Sequence, residues 1–393
     1  MVARAPAPPG GRWRRRHRWR WGCAAGGALG LGLLAALVVM EFGPITVLVR
    51  TTPQLQGVAR WLPRPPTLRR RVGPTAGDPA ESGALWVPVG QPRPPGVLLV
   101  NGVGVEGGWR NPVIGGVARD IAQVGFAVYV PNLPGLQRGV VGADTVRALE
   151  ADLLWLAHSR QVAAPRVAMI GICVGGSLAL LAAEAPATRA VVRSVVGIDP
   201  YARLTDLVSV ATLGEGPGPT GAPERIPVLP WVKLVVARSV IATVPGAANR
   251  AALTAALARG PAAHPLRGFR TQPAPLGLQP VARAWWEILG NRRPGRLPGL
   301  LRALPATVHR QLAALSPLPG APRLRIPVVL AAPVRDWAFP GGEALALARA
   351  DPSWVQLTRT DALDHATPAL GPGSVIGYLE LGAFFMRAHA VLG

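Results

Sequence analysis

The chain has 393 residues with a formal net charge of +22, which leaves room for one large domain with an insertion. Its basic residues include a single lysine, Lys233, and the longest basic run after the amino-terminal leader is the three arginines at 69–71, so no nucleic-acid partner is expected. Two cysteines, Cys23 and Cys173, exclude a disulfide framework. No metal-ligand cluster or phosphate-binding glycine loop occurs, and no metal or cofactor is expected.

The amino terminus has the features of a membrane anchor. Residues 1–21 form a basic leader with seven arginines and no acidic residue, and residues 22–40 form an uncharged apolar run. This run is long enough to span a bilayer, and the charge bias predicts a cytoplasmic amino terminus with the catalytic body on the extracytoplasmic side. A cleaved signal peptide is the alternative, although no small-x-small cleavage site follows the run cleanly. Residues 41–83, rich in proline and arginine, are expected to be a tether.

Apolar strand runs alternate with helical patterns in the next part of the chain. Residues 96–100 and 126–131 read as strands, whereas 111–123 and 144–157 have helical periodicity. This alternation predicts a mostly parallel sheet covered by helices on both faces.

A sharp turn between a strand and a helix is predicted around Cys173. The apolar run at 167–170 leads into Gly-Ile-Cys-Val-Gly-Gly at 171–176, and a helical stretch follows at 178–185. Small residues two positions to either side of the cysteine are typical of a nucleophile elbow, in which the central residue has a strained backbone. A thiolate at the first turn of a helix is stabilised by the helix dipole. The alternative is a buried structural cysteine in a glycine-rich turn.

A base and an acid in the right order follow this turn. Of the six histidines, His365 alone lies in a loop between a short strand and the terminal helix. Asp336 follows the buried-strand pattern at 326–332, and Asp199 follows the strand pattern at 195–198 as a rival acid. The order nucleophile, acid, base is that of α/β-hydrolases.

On these motifs, residues 84–392 resemble the α/β-hydrolase superfamily. The cysteine in the elbow is similar to that of dienelactone hydrolases and, more distantly, of polyhydroxyalkanoate synthases. The resemblance implies that Cys173 is the nucleophile, His365 the general base and Asp336 the acid that orients it.

An oxyanion hole needs two backbone N–H groups that point to one position. The residue after the nucleophile, Val174, supplies one, and Val103 in the loop at 101–108 is expected to supply the other. Some dienelactone hydrolases have a glutamate in this loop that contacts the thiol, and its aligned position here is Gly102. Glu106 is therefore expected to be a solvated carboxylate.

The chain is thus expected to have an α/β-hydrolase core at 84–202 and 326–393, interrupted by a cap insertion at 203–325. Apolar segments of the cap, at 230–236 and 282–289, either pack on the core or line an acyl-binding cleft over Cys173. The expected function is hydrolysis of an ester, lactone or thioester of small-molecule size by a membrane-anchored enzyme. An acyltransferase of the polyhydroxyalkanoate synthase type and a catalytically silent anchored scaffold are the alternatives, and the sequence leaves the oligomeric state open.

Overall fold

The computed structural model describes residues 43–74, 83–104, 108–163, 166–369 and 375–393. The predicted leader and membrane anchor, residues 1–40, lie outside the described residues, as does Glu106.

A twisted eight-stranded sheet forms the centre of the molecule. Its strands are β1 (Thr67–Val72), β2 (Gly83–Pro88), β3 (Gly96–Val100), β4 (Ala127–Val130), β5 (Val167–Ile172), β6 (Val192–Ile198), β9 (Val328–Pro333) and β10 (Val355–Thr360). Their spatial order in the sheet is β1-β2-β4-β3-β5-β6-β9-β10. The pairs of β2 with β1 and with β4 are antiparallel, and the other neighbours are parallel. The parallel strands carry continuous apolar runs because both of their faces are buried.

Helices cover both faces of this sheet. Around it lie α1 (Gly43–Thr51), α2 (Gln56–Ala59), α3 (Pro112–Gln123), α4 (Pro134–Gln137), α5 (Ala143–Ala157) and α6 (Val174–Glu184). On strand β3, Val97 and Leu99 pack towards α3, whereas Leu98 and Val100 pack towards α5 and α6. This alternation follows from the two-residue period of a strand, and it divides the core into two layers.

The prediction of a tether at 41–83 is wrong for residues 43–72, which are folded onto the sheet and its helices. Helix α1 buries Val47 and Leu48, and β1 extends the sheet at its edge. The buried guanidinium of Arg50 pairs with Asp120 of α3 at 3.4 Å and also donates to the carbonyl of Pro63. The folded core therefore begins well before residue 84, since apolar side chains and this buried cation fix the segment in place.

The segment between β6 and β9 is mostly helical. It contains α7 (Leu204–Leu213), the strands β7 (Glu215–Pro217) and β8 (Pro223–Arg225), α8 (Pro230–Ala242), α9 (Ala247–Ala258), α10 (Gly268–Thr271), α11 (Pro280–Gly290), α12 (Leu297–Arg302) and α13 (Ala306–Ala314). Trp285 of α11 is fully buried, and the insertion shares one continuous apolar cluster with the α5–α6 side of the sheet. The insertion therefore packs directly on the core.

After β9 the chain forms α14 (Gly342–Ala350), the short hairpin β11 (Leu363–Asp364) and β12 (Thr367–Pro368), and α15 (Val375–Leu392). Within the described part of the chain, α15 is the helix whose length and composition would allow it to cross a membrane. Leu381 and Phe384 of α15 are buried in the same layer as α3. A helix that covers a sheet has the same apolar composition, so this observation does not indicate a membrane span.

Candidate active site

Cys173 lies at the carboxyl end of β5, on the sharp turn into α6. Its backbone dihedral angles are φ 56° and ψ −128°, a conformation that L-residues other than glycine rarely adopt. The amide of Cys173 donates to the Ile198 carbonyl at 2.8 Å, and its carbonyl accepts from Gly176 at 2.8 Å. Because both ends of the turn are hydrogen-bonded, the strained residue is held in place with its side chain at the edge of the sheet.

Two glycines of the turn have no room for a side chain, and a third, beside it, has little. A Cβ on Gly171 would overlap the carbonyl of Gly175, and a Cβ on Gly175 would overlap the carbonyl of Val100 in β3. On the opposite side, a Cβ on Gly102 would lie 3.2 Å from the Cβ of Cys173 and 3.7 Å from its Sγ. The turn is therefore clamped between its own helix and the loop after β3.

Asp336 lies in the loop after β9, where backbone amides hold its carboxylate. Its Oδ1 accepts from the amide of Trp337 at 2.7 Å, and its Oδ2 accepts from the amide of Phe339 at 2.7 Å. Both oxygens also lie 3.1–3.2 Å from Nδ1 of His365. Such a set of donors favours the ionised carboxylate.

His365 occupies the turn between β11 and β12. The register pairs Asp364 with Thr367, so His365 is the first residue of a two-residue hairpin turn, and its φ of 52° is the positive value that such turns use. The imidazole packs against the rings of Trp337 and Phe339, at centroid distances of 4.5 and 5.5 Å. These contacts and the bond to Asp336 fix the orientation of the ring.

Nε2 of His365 is buried and has no hydrogen-bond partner within the described residues. Cys173 lies near enough to this imidazole to raise its pKa. The three side chains thus lie in the sequence sulfur, imidazole, carboxylate. This is the arrangement of a nucleophile, a base and a base-orienting acid.

Asp199, the rival acid, reaches the same imidazole nitrogen. Its Oδ2 lies 2.7 Å from Nδ1 of His365 but makes no hydrogen bond of acceptable geometry. The longer contacts to Asp336 do have that geometry, so the Nδ1–H group donates to Asp336. Asp199, Asp336 and His365 carry metal-ligand atoms within 4.8 Å of one another, yet the N–H donated to Asp336 matches an oriented base better than a metal ligand.

The charge states follow from these surroundings. Burial alone would lower the pKa of His365, but the facing Cys173 and the two carboxyl groups outweigh it and raise that pKa. Burial raises the pKa of Asp199 well above its usual value. Burial would also raise the pKa of Asp336, but the hydrogen bonds and charge of His365 hold it below its usual value. The geometry therefore favours a charged imidazole next to an ionised Asp336.

The predicted oxyanion residues lie in the two segments that flank Cys173. Val174 follows Cys173 at the start of α6, and Val103 is buried in the loop after β3, next to Gly102, which faces Cys173. A cleft of about 320 Å³ extends from Val103 and Gly104 to helix α8 of the insertion. Trp231 and Leu234 line its apolar part, and Arg238 is its cationic group.

Two residues beside the site are placed only by the tertiary structure. Trp231 of α8, in the predicted cap segment 230–236, packs against Trp337, the ring that contacts His365, at a centroid distance of 5.7 Å. Glu343 is buried and accepts hydrogen bonds from the amides of Ala202 and Arg203, so it holds the chain just after Asp199. An apolar aromatic side chain in an insertion carries no local signal of a site. The buried Glu343 would have needed the same tertiary information.

No protein-family model and no curated protein matches the sequence. Among solved structures, a Legionella pneumophila protein assigned as a hydrolase aligns with a TM-score of 0.50 at 13% identity, covering 88% of this chain and 95% of that one. Est1E from Butyrivibrio proteoclasticus aligns with a TM-score of 0.45 at 12% identity, covering 82% and 98%. A Klebsiella pneumoniae protein assigned as a dienelactone hydrolase aligns with a TM-score of 0.43 at 12% identity, covering 82% and 99%. At these identities only the fold is informative. The Legionella structure, the strand order and the sharp turn at Cys173 together show that the chain has the α/β-hydrolase fold.

Proposed function

We propose that this protein is a hydrolase that cleaves an ester, lactone or thioester through a Cys173–His365–Asp336 triad and an acyl-enzyme intermediate. One observation carries this proposal. A cysteine on a strained turn faces a buried imidazole whose other nitrogen donates to a carboxylate held by two backbone amides. A structural cysteine would require none of these features.

In the first half-reaction, the thiolate of Cys173 attacks the substrate carbonyl carbon, and a C–S bond forms. The carbonyl oxygen becomes an oxyanion that accepts hydrogen bonds from the amides of Val103 and Val174. His365 then gives its Nε2 proton to the leaving alcohol or thiol as the carbonyl–heteroatom bond breaks.

In the second half-reaction, the neutral imidazole takes a proton from water at Nε2. The resulting hydroxide attacks the acyl carbon, the C–S bond breaks, and a carboxylic acid and the thiolate are released. Asp336 keeps the Nδ1–H tautomer throughout and stabilises the imidazolium.

The cleft between Val103 and α8 is the position that we assign to the acyl or leaving group. Its apolar wall of Trp231, Leu234 and Val235 favours a hydrocarbon portion of the substrate. Trp231 also packs against Trp337, whose ring contacts the imidazole of His365, so the apolar wall extends towards the triad. Both features favour a substrate whose acyl or leaving group is larger than an acetyl group.

The test uses the full-length protein with panels of esters, lactones and acyl thioesters, with acid release and transfer to alcohols measured separately. Cys173→Ala should abolish turnover and leave the fold intact, because alanine fits the turn sterically. Intact-mass analysis with a slow substrate should show an acyl adduct on Cys173.

Iodoacetamide provides a test that requires no substrate. Cys173 should be alkylated at a pH where an ordinary thiol reacts slowly, and this reaction should slow markedly in His365→Ala. Cys23→Ala is the matched control because it removes the other thiol of the chain and should leave both alkylation of Cys173 and turnover unchanged. Turnover in Cys173→Ala, or an acyl adduct on Ser177, would overturn the assignment.

We also propose that residues 22–40 anchor this enzyme in a lipid bilayer, with the amino terminus in the cytoplasm and the body outside it. The seven arginines of the leader and the uncharged apolar run support the anchor.

A further inference from the structure

Two carboxyl groups face one imidazole nitrogen in this site, although a triad needs only one. Asp199 approaches from the end of β6 and Asp336 from the loop after β9. Their oxygens and Nδ1 of His365 all lie within 4.8 Å of one another. Asp199 is only 4% exposed, so water does not separate these groups.

The backbone of Asp199 is held firmly in this position. Its φ of 52° lies in the left-handed region, and its amide donates to the Ala331 carbonyl of β9 at 2.7 Å. Aspartate accepts such a conformation more readily than most residues, but it is still a cost that the surrounding structure must offset. The sheet therefore fixes the backbone position from which the Asp199 side chain reaches Nδ1 of His365.

The two carboxyl groups differ sharply in their hydrogen-bond donors. Asp336 accepts from two backbone amides and from the imidazole. Oδ2 of Asp199 has no hydrogen-bond partner within the described residues, although it is fully buried. A buried carboxylate without donors is strongly disfavoured, whereas a protonated carboxyl next to an ionised one can donate a hydrogen bond to it.

We propose that Asp199 carries a proton in the resting enzyme and donates it to Asp336, so that the pair of carboxyl groups holds one negative charge against His365. This inference rests on the proposed function, since it concerns the same triad. Asp199 is then a positioning residue that acts through Asp336. Burial and the nearby charge of Asp336 raise the pKa of Asp199 more than the facing imidazole lowers it, and a hydrogen bond donated by Asp199 would favour the ionised form of Asp336.

The proton on Asp199 has a consequence for catalysis. His365 must release its Nε2 proton to the leaving group, and a second negative charge beside Nδ1 would hold that proton more tightly. The neutral carboxyl avoids this charge and still fixes Asp336. When Asp199 ionises at alkaline pH, the imidazolium should become a weaker acid and kcat should fall.

The charged groups around Asp199 are few. His365 faces it from the β11–β12 turn and Asp336 from the loop after β9. Cys173 acts on the same imidazole from the start of α6. The fall in kcat at alkaline pH should therefore depend on Asp199, His365, Asp336 and Cys173.

Infrared difference spectroscopy tests the proton directly. The full-length protein at neutral pH should show the carbonyl stretch of a protonated carboxylic acid that is missing from Asp199→Asn. Asp144→Asn is the matched control, because its side chain is 94% exposed and its loss should leave the band unchanged. A band of equal intensity in wild type and Asp199→Asn would overturn the proposal.

Variant kinetics test the role of the proton. Asp199→Asn is neutral and retains an N–H donor for Asp336, so it should lower kcat at neutral pH far less than Asp336→Asn does. The alkaline fall in kcat should be absent. Asp199→Ala removes the donor and should lower kcat by about 10- to 100-fold. Asp336→Asn should lower kcat by about a thousandfold or more.

Two outcomes separate the failure of this inference from the failure of the proposed function. If Asp199→Asn loses as much activity as Asp336→Asn, Asp199 is the working acid and the inference is overturned while the triad chemistry stands. If Cys173→Ala retains activity, the proposed function is overturned, and the infrared band still decides whether Asp199 is protonated. Should Asp199→Ala fail to fold, Asp199→Leu replaces it, because leucine is similar in size to aspartate and has no donor for Asp336.

Discussion

Adding one methyl group at Gly175 tests the geometry of the turn. Gly175 is in the first turn of α6 and has an ordinary helical backbone, so alanine at this position is disfavoured by its volume alone. The new Cβ would overlap the Val100 carbonyl and would lie 2.8 Å from the Asn101 carbonyl, whereas ordinary contacts begin at 3.4 Å. Main-chain atoms of β3 cannot rotate away, so α6 must move from the strand by about 1 Å to restore an ordinary contact with the Val100 carbonyl.

This displacement separates Cys173 from the loop that carries Val103. Overpacking of this kind costs about 1–3 kcal/mol of stability. A misplacement of about 1 Å at a catalytic group lowers turnover by about 100-fold. We therefore expect Gly175→Ala to fold with reduced stability and to lose roughly two powers of ten in kcat, with slower alkylation of Cys173.

Denaturant titration, alkylation by iodoacetamide and turnover of the best substrate from the panel are the measurements. Gly382→Ala is the matched control, since a Cβ there meets no atom within 4 Å in the middle of α15. It should stabilise the protein by about 0.5–1 kcal/mol and leave turnover unchanged. Wild-type turnover and stability in Gly175→Ala would refute the close approach of α6 to β3.

Three further predictions concern stability and location. Tyr129→Phe removes a buried hydrogen bond of 2.8 Å to the Asp152 carboxylate and should lower the free energy of unfolding, measured by urea denaturation, by about 1.5–3 kcal/mol. Tyr378→Phe is the control, because its hydroxyl has no partner in the described structure and its loss should be near neutral. Burial raises the pKa of Glu184 to about 8, so the folded state keeps a proton that the unfolded state releases. The stability that this proton contributes is fully present below about pH 4.5 and is lost as the pH rises to about 8. Glu184→Gln should remove this part of the pH dependence, and an unchanged slope would contradict the assignment. The full chain should remain in the membrane pellet through salt and high-pH washes and be released by detergent. Deletion of residues 1–41 should give a soluble protein. Release of the full chain by salt would argue against the anchor.

Much of the fold could be predicted from periodicity alone. The predicted strand at 96–100 coincides with β3, and the helix predicted at 111–123 is α3 with Asn111 as its cap. Both are local patterns, because a buried parallel strand is a continuous apolar run and an amphipathic helix repeats its apolar face every three to four residues. The sequence likewise predicted that Cys173, Asp336 and His365 each follow a strand, in the order nucleophile, acid and base.

Residues 43–72 were misjudged because proline and arginine suppress the apolar signal of a packed segment. Arg50 is buried only because Asp120, 70 positions away, compensates its charge. A pairing of this kind is invisible in composition. For the segment 230–236, which holds Trp231, the sequence left open whether it packs on the core or lines a cleft, because both roles have the same apolar pattern.

By itself, the sequence determined the turn at Cys173, since a strand, a helix and small residues two positions apart leave few other backbone paths. It also indicated that Asp336 and Asp199 each follow a strand, and that His365 lies in a loop. Only the tertiary structure bears on the choice between the two acids, because the choice depends on which oxygens lie in line with Nδ1–H and which amides they accept from. Those angles arise from the packing of β6 beside β9 and from the hairpin that carries His365, and no local pattern encodes them.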